Sequence, residues 1–134
     1  MSDTYYVKTF GGLEITNDNV TVNIVELFGK QLVNLLQVLL FHSEKPVQKD
    51  ELIDILWPES KNPSSALKFS IFRLRAELNE IEFFKDKWVI VTTRKGYILN
   101  PNLDWNIDFV ELEKVYNQIN DGSELLDEKR VQDG

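Results

Sequence analysis

Basic side chains gather in the middle of the chain. Residues 61–97 carry eight basic and four acidic side chains, whereas the segments on either side are acidic and the whole chain has a net charge of −7. The basic residues are Lys61, Lys68, Arg73, Arg75, Lys85, Lys87, Arg94 and Lys95. Guanidinium and ammonium groups bind phosphates, so a basic centre between acidic flanks indicates a site for a polyanion.

Side chains suited to catalysis or metal binding are scarce. The chain of 134 residues has no cysteine and one histidine, His42, which excludes disulfides, thiolate metal sites and a cysteine nucleophile. No carboxylate stands in a recognisable acid–base pair. We therefore expect a protein that is not an enzyme and has no cofactor or metal. His42 lies at the end of a predicted helix, where a cation complements the helix dipole, and we expect its role to be structural.

The first 25 residues have the pattern of short β-strands. Runs rich in aromatic and β-branched residues occur at 5–10, 13–16 and 20–25, and glycines or an Asn-Asp-Asn turn separate them. Such runs predict a small antiparallel sheet.

Three predicted helices follow the sheet. Leucines at spacings of three and four predict a helix over 30–42, and a second helix spans 49–56 and ends before Pro58. The third helix ends near residue 79, and we expect Ser64 or Ser65 to be its N-cap.

The third predicted helix has a basic and aromatic outer face. The apolar stripe that faces the core consists of Leu67, Ile71, Leu74 and Leu78. The outward residues are Ser65, Lys68, Phe69, Phe72, Arg73 and Arg75. Exposed aromatic residues beside basic ones favour a partner, although we expect at least one of the two phenylalanines to pack in the core. The arginines either bind that partner or pair with Glu77 and Glu80.

A hairpin and a further helix complete the predicted order. A strand over 88–93 and a return strand over 97–99 flank the tight turn Arg94-Lys95-Gly96. We expect a linker over 100–106, a helix over 108–119 and a polar, acidic end. A sheet, three helices and a hairpin predict an α+β fold, a winged helix-turn-helix with one extra C-terminal helix. In such a domain the third helix lies in the DNA major groove, and the hairpin, or wing, contacts the adjoining backbone or minor groove.

Several short motifs now resemble a known family, the OmpR-type winged helix-turn-helix regulators. The chain is most similar to their Streptomyces antibiotic regulatory protein branch. The motifs are Leu56-Trp57-Pro58, Ile71-Phe72-Arg73-Leu74-Arg75 with Leu78, and Gly96-Tyr97 with Leu99. The resemblance implies a DNA-binding domain over residues 1–100. It also implies that 101–134 are a linker and the first helix of a truncated or absent helical domain, so that the chain is a fragment of a longer regulator or a natural protein lacking that domain.

The resemblance also implies roles for individual residues. Base contacts are expected from Phe69, Phe72 and Arg73. Backbone contacts are expected from Trp57, Ser65, Arg75, Thr92 and Thr93, although packing is an alternative role for Trp57. Basic character adds Lys61 and Lys68 to the predicted DNA-binding set, together with Arg94 and Lys95 at the wing tip. The loop over 58–63 corresponds to the family's segment for touching RNA polymerase.

Two functions from different classes therefore remain open. The first is a bacterial regulator of transcription that binds promoter or operator DNA at repeated half-sites, as a monomer or weak dimer when DNA is absent. The second is a winged-helix module that binds a partner protein through Phe69 and Phe72. The start of the chain has no basic segment followed by an apolar one, so we expect no secretory leader. The longest apolar run, over 32–41, is too short to span a bilayer. We therefore expect a cytoplasmic protein with no membrane partner.

Overall fold

A computed structural model describes residues 4–9 and 12–120. It contains two sheets, five α-helices and one 3₁₀ turn within those residues. The strands are β1 (Thr4–Lys8), β2 (Glu14–Asn17), β3 (Val20–Asn23), β4 (Ile90–Thr93), β5 (Gly96–Leu99) and β6 (Asp104–Ile107). The helices are α1 (Ile24–Leu27), α2 (Lys30–Phe41), α3 (Lys49–Leu56), α4 (Pro63–Asn79) and α5 (Phe109–Asn120), and the 3₁₀ turn is Glu82–Phe84. The predicted acidic end, residues 121–134, lies outside the described residues.

The N-terminal sheet has four strands in the order β3-β2-β1-β6. Strands β1, β2 and β3 pair antiparallel, as predicted, whereas β6 pairs parallel with β1 and makes the sheet mixed. Val7 stands opposite both Ile15 and Ile107, and all three side chains are buried. The linker predicted over 100–106 is therefore wrong for residues 104–106, which belong to β6. Their edge pairing with a distant strand supplies backbone hydrogen bonds that local composition does not reveal.

One short helix, α1, replaces the end of the third predicted strand. The side chain of Asn23 accepts hydrogen bonds from the backbone N–H groups of Val25 and Glu26, at 3.1 and 3.4 Å. An asparagine in this position is a favourable N-cap, so the chain turns into a helix at Ile24. The strand predicted over 20–25 accordingly ends at Asn23.

The helices α2, α3 and α4 form the core of the domain and contact one another. The predicted stripe of α4 is confirmed, since its four apolar residues are at most 2% exposed. The predicted serine N-cap is wrong, because α4 begins at Pro63 and the N-cap position is Asn62, which makes no side-chain capping bond. Proline suits the first helical position because its missing N–H would have no partner there.

The wing, β4 and β5, is joined to the start of α3. Tyr97 and Val47 exchange two backbone hydrogen bonds of 2.8 and 3.0 Å. Gly96 has the positive φ expected of the turn, at 139°. The wing is thus held against the start of α3, and Arg75 of α4 donates hydrogen bonds to β4.

The last helix, α5, packs on α2 and α3. Leu112 is fully buried, and the Tyr116 ring stacks on Phe41 with centroids 4.2 Å apart. His42 Nε2 lies 3.3 Å from the Tyr116 hydroxyl, which gives this histidine a packing role between the two helices. The predicted division of the chain at residue 100 stays a prediction.

Candidate nucleic-acid interface

The outer face of α4 is basic and aromatic, as its periodicity predicts. Phe69 and Phe72 are 62% and 69% exposed, so the prediction that at least one packs in the core is wrong. Helical geometry gives the reason. Successive residues of a helix are rotated by about 100°, so Phe69 and Phe72 lie on the face opposite the apolar stripe that packs in the core. Moreover, no acidic residue occurs between 60 and 76 in the sequence. This part of the helix therefore presents cations and rings without carboxylates.

Arg73 lies on this face and forms a weak ion pair with Glu77. Its Nη2 is 3.5 Å from Glu77 Oε1, and its guanidinium is 5.9 Å from the centre of the Phe69 ring. Pairing with Glu77 is one of the two roles that the sequence allowed for this arginine, the other being contact with a partner. Because about half of the Arg73 side chain is exposed, such a pair contributes little stability and can be replaced by a stronger anionic or base partner.

Arg75 points away from that face and ties α4 to the wing. Its Nε and Nη2 donate to the Ile90 carbonyl at 3.2 and 3.0 Å, and Nη2 also donates to Thr92 Oγ1 at 2.7 Å. The guanidinium lies 5.2 Å from the centre of the Trp88 ring. Burial lowers the pKa of Arg75 below its ordinary value, an effect that Tyr97 opposes, but an arginine stays charged in proteins. The structure thus gives Arg75 a positioning role.

We expect the substitution Arg75→Ala to lower the free energy of unfolding by about 1–3 kcal/mol, because the buried Ile90 carbonyl loses its charged donor. Urea denaturation measures this change. The matched variant Arg75→Lys keeps the charge but loses the planar fork, so it should recover only part of the loss. An alanine variant as stable as the original protein, with equal hydrogen-exchange protection of β4 and β5, would contradict the positioning role.

The wing tip exposes two cations on a turn that the Thr93 hydroxyl stabilises by hydrogen bonds. Thr93 Oγ1 donates to the Gly96 carbonyl at 3.0 Å and accepts from the backbone N–H groups of Lys95 and Gly96. The hydroxyl of Thr93 is therefore used within the turn. Arg94 and Lys95 are exposed at its tip.

The remaining predicted residues lie along the same helix and before it. Ser65 and Lys68 are exposed on α4, and Lys61 is exposed in the connection between α3 and α4. Trp57 is half-buried and packs against the core, which agrees with its alternative packing role. The structure therefore places Lys61, Ser65, Lys68, Phe69, Phe72 and Arg73 on or before α4, and Thr92, Thr93, Arg94 and Lys95 on the wing that Arg75 holds.

Two residues near the wing escape the prediction. Trp88, which precedes β4, is 63% exposed, and its ring faces Arg75. Lys49, at the start of α3, has its Nζ 5.9 Å from the centre of the Tyr97 ring. No local pattern distinguishes these residues, because their proximity to α4 or the wing depends on tertiary packing.

A comparison with protein families identifies this arrangement. Residues 20–99 match the family described as "Transcriptional regulatory protein, C terminal". The chain belongs to this family. The match runs from the start of β3 to the end of β5, so it includes all three core helices and the wing. The OmpR-type winged helix-turn-helix expected from the sequence is confirmed. The chain is therefore a DNA-binding regulator of transcription.

Two solved structures are similar to the chain. The DNA-binding domain of E. coli CadC is 26% identical, with a TM-score of 0.51 over 65% of this chain and 78% of that chain. Mycobacterium tuberculosis EmbR, in complex with a low-affinity phosphopeptide, is 23% identical, with a TM-score of 0.52 over 72% of this chain and 24% of that chain. The likeness to EmbR concerns the fold alone, and this chain spans about a quarter of it. No curated protein matches the chain.

The described residues contain neither a cluster of metal ligands nor a membrane-spanning helix. Among residues 4–9 and 12–120, no group of three or more His, Asp or Glu side chains could hold a metal ion. In that part of the chain, none of the helices combines the length and the apolar character needed to cross a bilayer.

Proposed function

We propose that the chain recognises specific sequences in double-stranded DNA, with α4 in the major groove and the wing on the adjoining backbone or minor groove. The observation that carries the proposal is the outer face of α4, which exposes Lys68, Phe69, Phe72 and Arg73 and has no carboxylate before Glu77. An α-helix fits the width of the major groove, and a cationic face is attracted to the phosphates that line it.

Within this proposal the residues have separate tasks. Arg73 exchanges its pair with Glu77 for a base edge, and the two phenylalanines contact thymine methyl groups. Lys61, Ser65 and Lys68 bind phosphates around the helix, while Arg94 and Lys95 bind phosphates at the wing. Arg75 and Thr92 hold the wing in place, and the exposed Trp88 lies against the sugar-phosphate backbone beside them.

The experiment that tests the groove assignment compares salt dependences. Arg94→Ala with Lys95→Ala should weaken binding to all DNA sequences about equally. The slope of log K against log salt is negative, and its magnitude should become smaller by about two, roughly one for each phosphate that the wing no longer neutralises. Fluorescence anisotropy with labelled duplexes at several salt concentrations measures both quantities.

A control with the same charge change separates a direct phosphate contact from a long-range effect. Lys8→Ala with Lys114→Ala removes two exposed lysines from β1 and α5, elements whose main packing partners are β2, β6, α2 and α3. This control should keep the original slope within about 0.5, since neither lysine binds a phosphate in the proposed complex. A wing variant whose slope equals that of the control would overturn the wing's place in the proposal.

A protein-binding module is the second candidate, and the exposure of Phe69 and Phe72 favours it. Two rings that are more than 60% exposed and near each other on one helix form an apolar surface that protein partners use. Under this alternative, replacing both phenylalanines with serine abolishes partner binding, whereas the wing variant changes little. Under the DNA proposal, both variants weaken DNA binding.

The assembly on DNA and the contact with transcription machinery belong to the same proposal. One copy covers one half-site, and copies bind to direct repeats, while the chain is a monomer or weak dimer without DNA. The connection over 58–63, which is largely exposed before α4, is available for RNA polymerase.

A further inference from the structure

A groove on another side of the domain is apolar at its base. It has a volume of about 350 Å³ and lies between the N-terminal sheet and the C-terminal end of α4. Phe28 and Ile81, which are nearly buried, line it together with the half-buried Phe83. Val20 and Leu27, at 54% and 58% exposure, also line it and leave aliphatic surface in contact with water. We call this feature the acidic groove because of its rim.

The rim of the acidic groove carries three carboxylates, those of Glu77, Glu80 and Glu82. Glu77 shares its charge with Arg73, but across the described part of the chain Glu80 and Glu82 form no ion pair. A rim of this charge repels phosphates, so the acidic groove is not a continuation of the proposed DNA interface. It attracts cations instead.

We propose that the acidic groove binds a basic, amphipathic helix of another protein. Its apolar side chains would fill the space over Phe28 and Ile81, and its lysines or arginines would pair with Glu80 and Glu82. A groove of about 350 Å³ accommodates apolar side chains that project from a helix, while the helix itself lies across the rim. A helix with apolar side chains at spacings of three and four has one apolar face, and basic side chains can flank that face. The apolar face then meets the base of the groove, and the basic side chains meet the carboxylates on its rim. The proposal does not depend on DNA binding.

In the test, a synthetic peptide is titrated into the full protein chain, which is labelled with ¹⁵N. The peptide is about four helical turns long, with leucines along one face and lysines on both sides of them. Its titration should give saturable chemical-shift changes confined to residues 20–28 and 77–83. A control peptide in which glutamate replaces every lysine should give no saturable changes. Shifts spread over other acidic surfaces, or equal binding of the control peptide, would overturn the proposal.

Two variants make the site assignment specific. Leu27→Asp and the double variant Glu80→Lys with Glu82→Lys should each weaken peptide binding at least tenfold. The matched control Glu44→Lys with Glu113→Lys makes the same charge change at exposed positions elsewhere and should weaken it less than threefold. Equal loss in the control would overturn the proposal, because attraction would then depend on net charge alone.

A second copy of the chain is the competing occupant, and sedimentation velocity distinguishes it. If the protein alone forms a dimer that Leu27→Asp abolishes, the acidic groove is an interface between copies and the proposal of a different partner is wrong. A monomer that binds the basic peptide supports it.

Discussion

Replacing Gly96 with alanine is expected to lower the free energy of unfolding by about 3 kcal/mol or more, because two independent penalties fall on one position. The φ of Gly96 is 139°, a backbone conformation that residues with a side chain rarely adopt. In addition, a Cβ placed on Gly96 would lie 1.9 Å from the Val47 carbonyl oxygen and 2.9 Å from the Gln48 Cα. Both obstacles are backbone atoms, which no change of side-chain rotamer can move.

The expected result includes a structural signature as well as a loss of stability. The clash lies at the two hydrogen bonds that join Tyr97 to Val47, so the wing should detach from the start of α3. Urea denaturation measures the stability, and hydrogen exchange of the Val47 and Tyr97 amides reports the detachment.

Gly29→Ala is the matched control for this substitution. Gly29 has a negative φ, and a Cβ built on it meets nothing within 4 Å. We expect the Gly29→Ala variant to change the free energy of unfolding by less than about 1 kcal/mol. Alanine is a weaker N-cap and lowers stability, whereas it makes the unfolded chain less flexible and raises stability, so the two effects oppose each other. If Gly96→Ala were as stable as Gly29→Ala, the described approach of wing and α3 would be wrong.

Replacing Arg73 with alanine is expected to reduce sequence preference as well as affinity. Binding to a preferred site should weaken by about 1–3 kcal/mol, or roughly fivefold to 150-fold, whereas binding to unrelated duplexes should weaken much less. A guanidinium that reads a base contributes only where that base is present. Competition binding with a preferred duplex and a scrambled duplex measures the two losses.

The neighbouring glutamate provides a control with the opposite charge change. Glu77→Gln leaves Arg73 in place and removes its partner at 3.5 Å, so DNA affinity should stay equal or rise. An Arg73→Ala variant that keeps the full ratio between preferred and scrambled duplexes would remove Arg73 from the base-reading role.

Local periodicity explains what the sequence could predict. The stripe from Leu67 to Leu78 repeats at helical spacing, so it locates α4 and, by exclusion, the exposed face with Phe69 and Arg73. The wing turn was predictable for a similar reason, because Gly96 between two β-rich runs indicates a tight turn. Both predictions need only neighbours within a few residues.

Long-range contacts explain what could not be predicted. Strand β6 depends on pairing with β1, a partner about 100 residues earlier, as in the hydrogen bond from Thr4 to Asp104. The role of Arg75 depends on the Ile90 carbonyl, whose position α4 alone does not determine.

A single titration decides whether this chain binds specific DNA sequences. The chain is added to fluorescent DNA fragments from upstream of its own gene, at two salt concentrations. We expect saturable binding to some fragments and not others, with an affinity that falls steeply as salt increases. If no fragment binds at the lower salt concentration, the chain does not recognise DNA as proposed, and a protein partner for Phe69 and Phe72 is favoured.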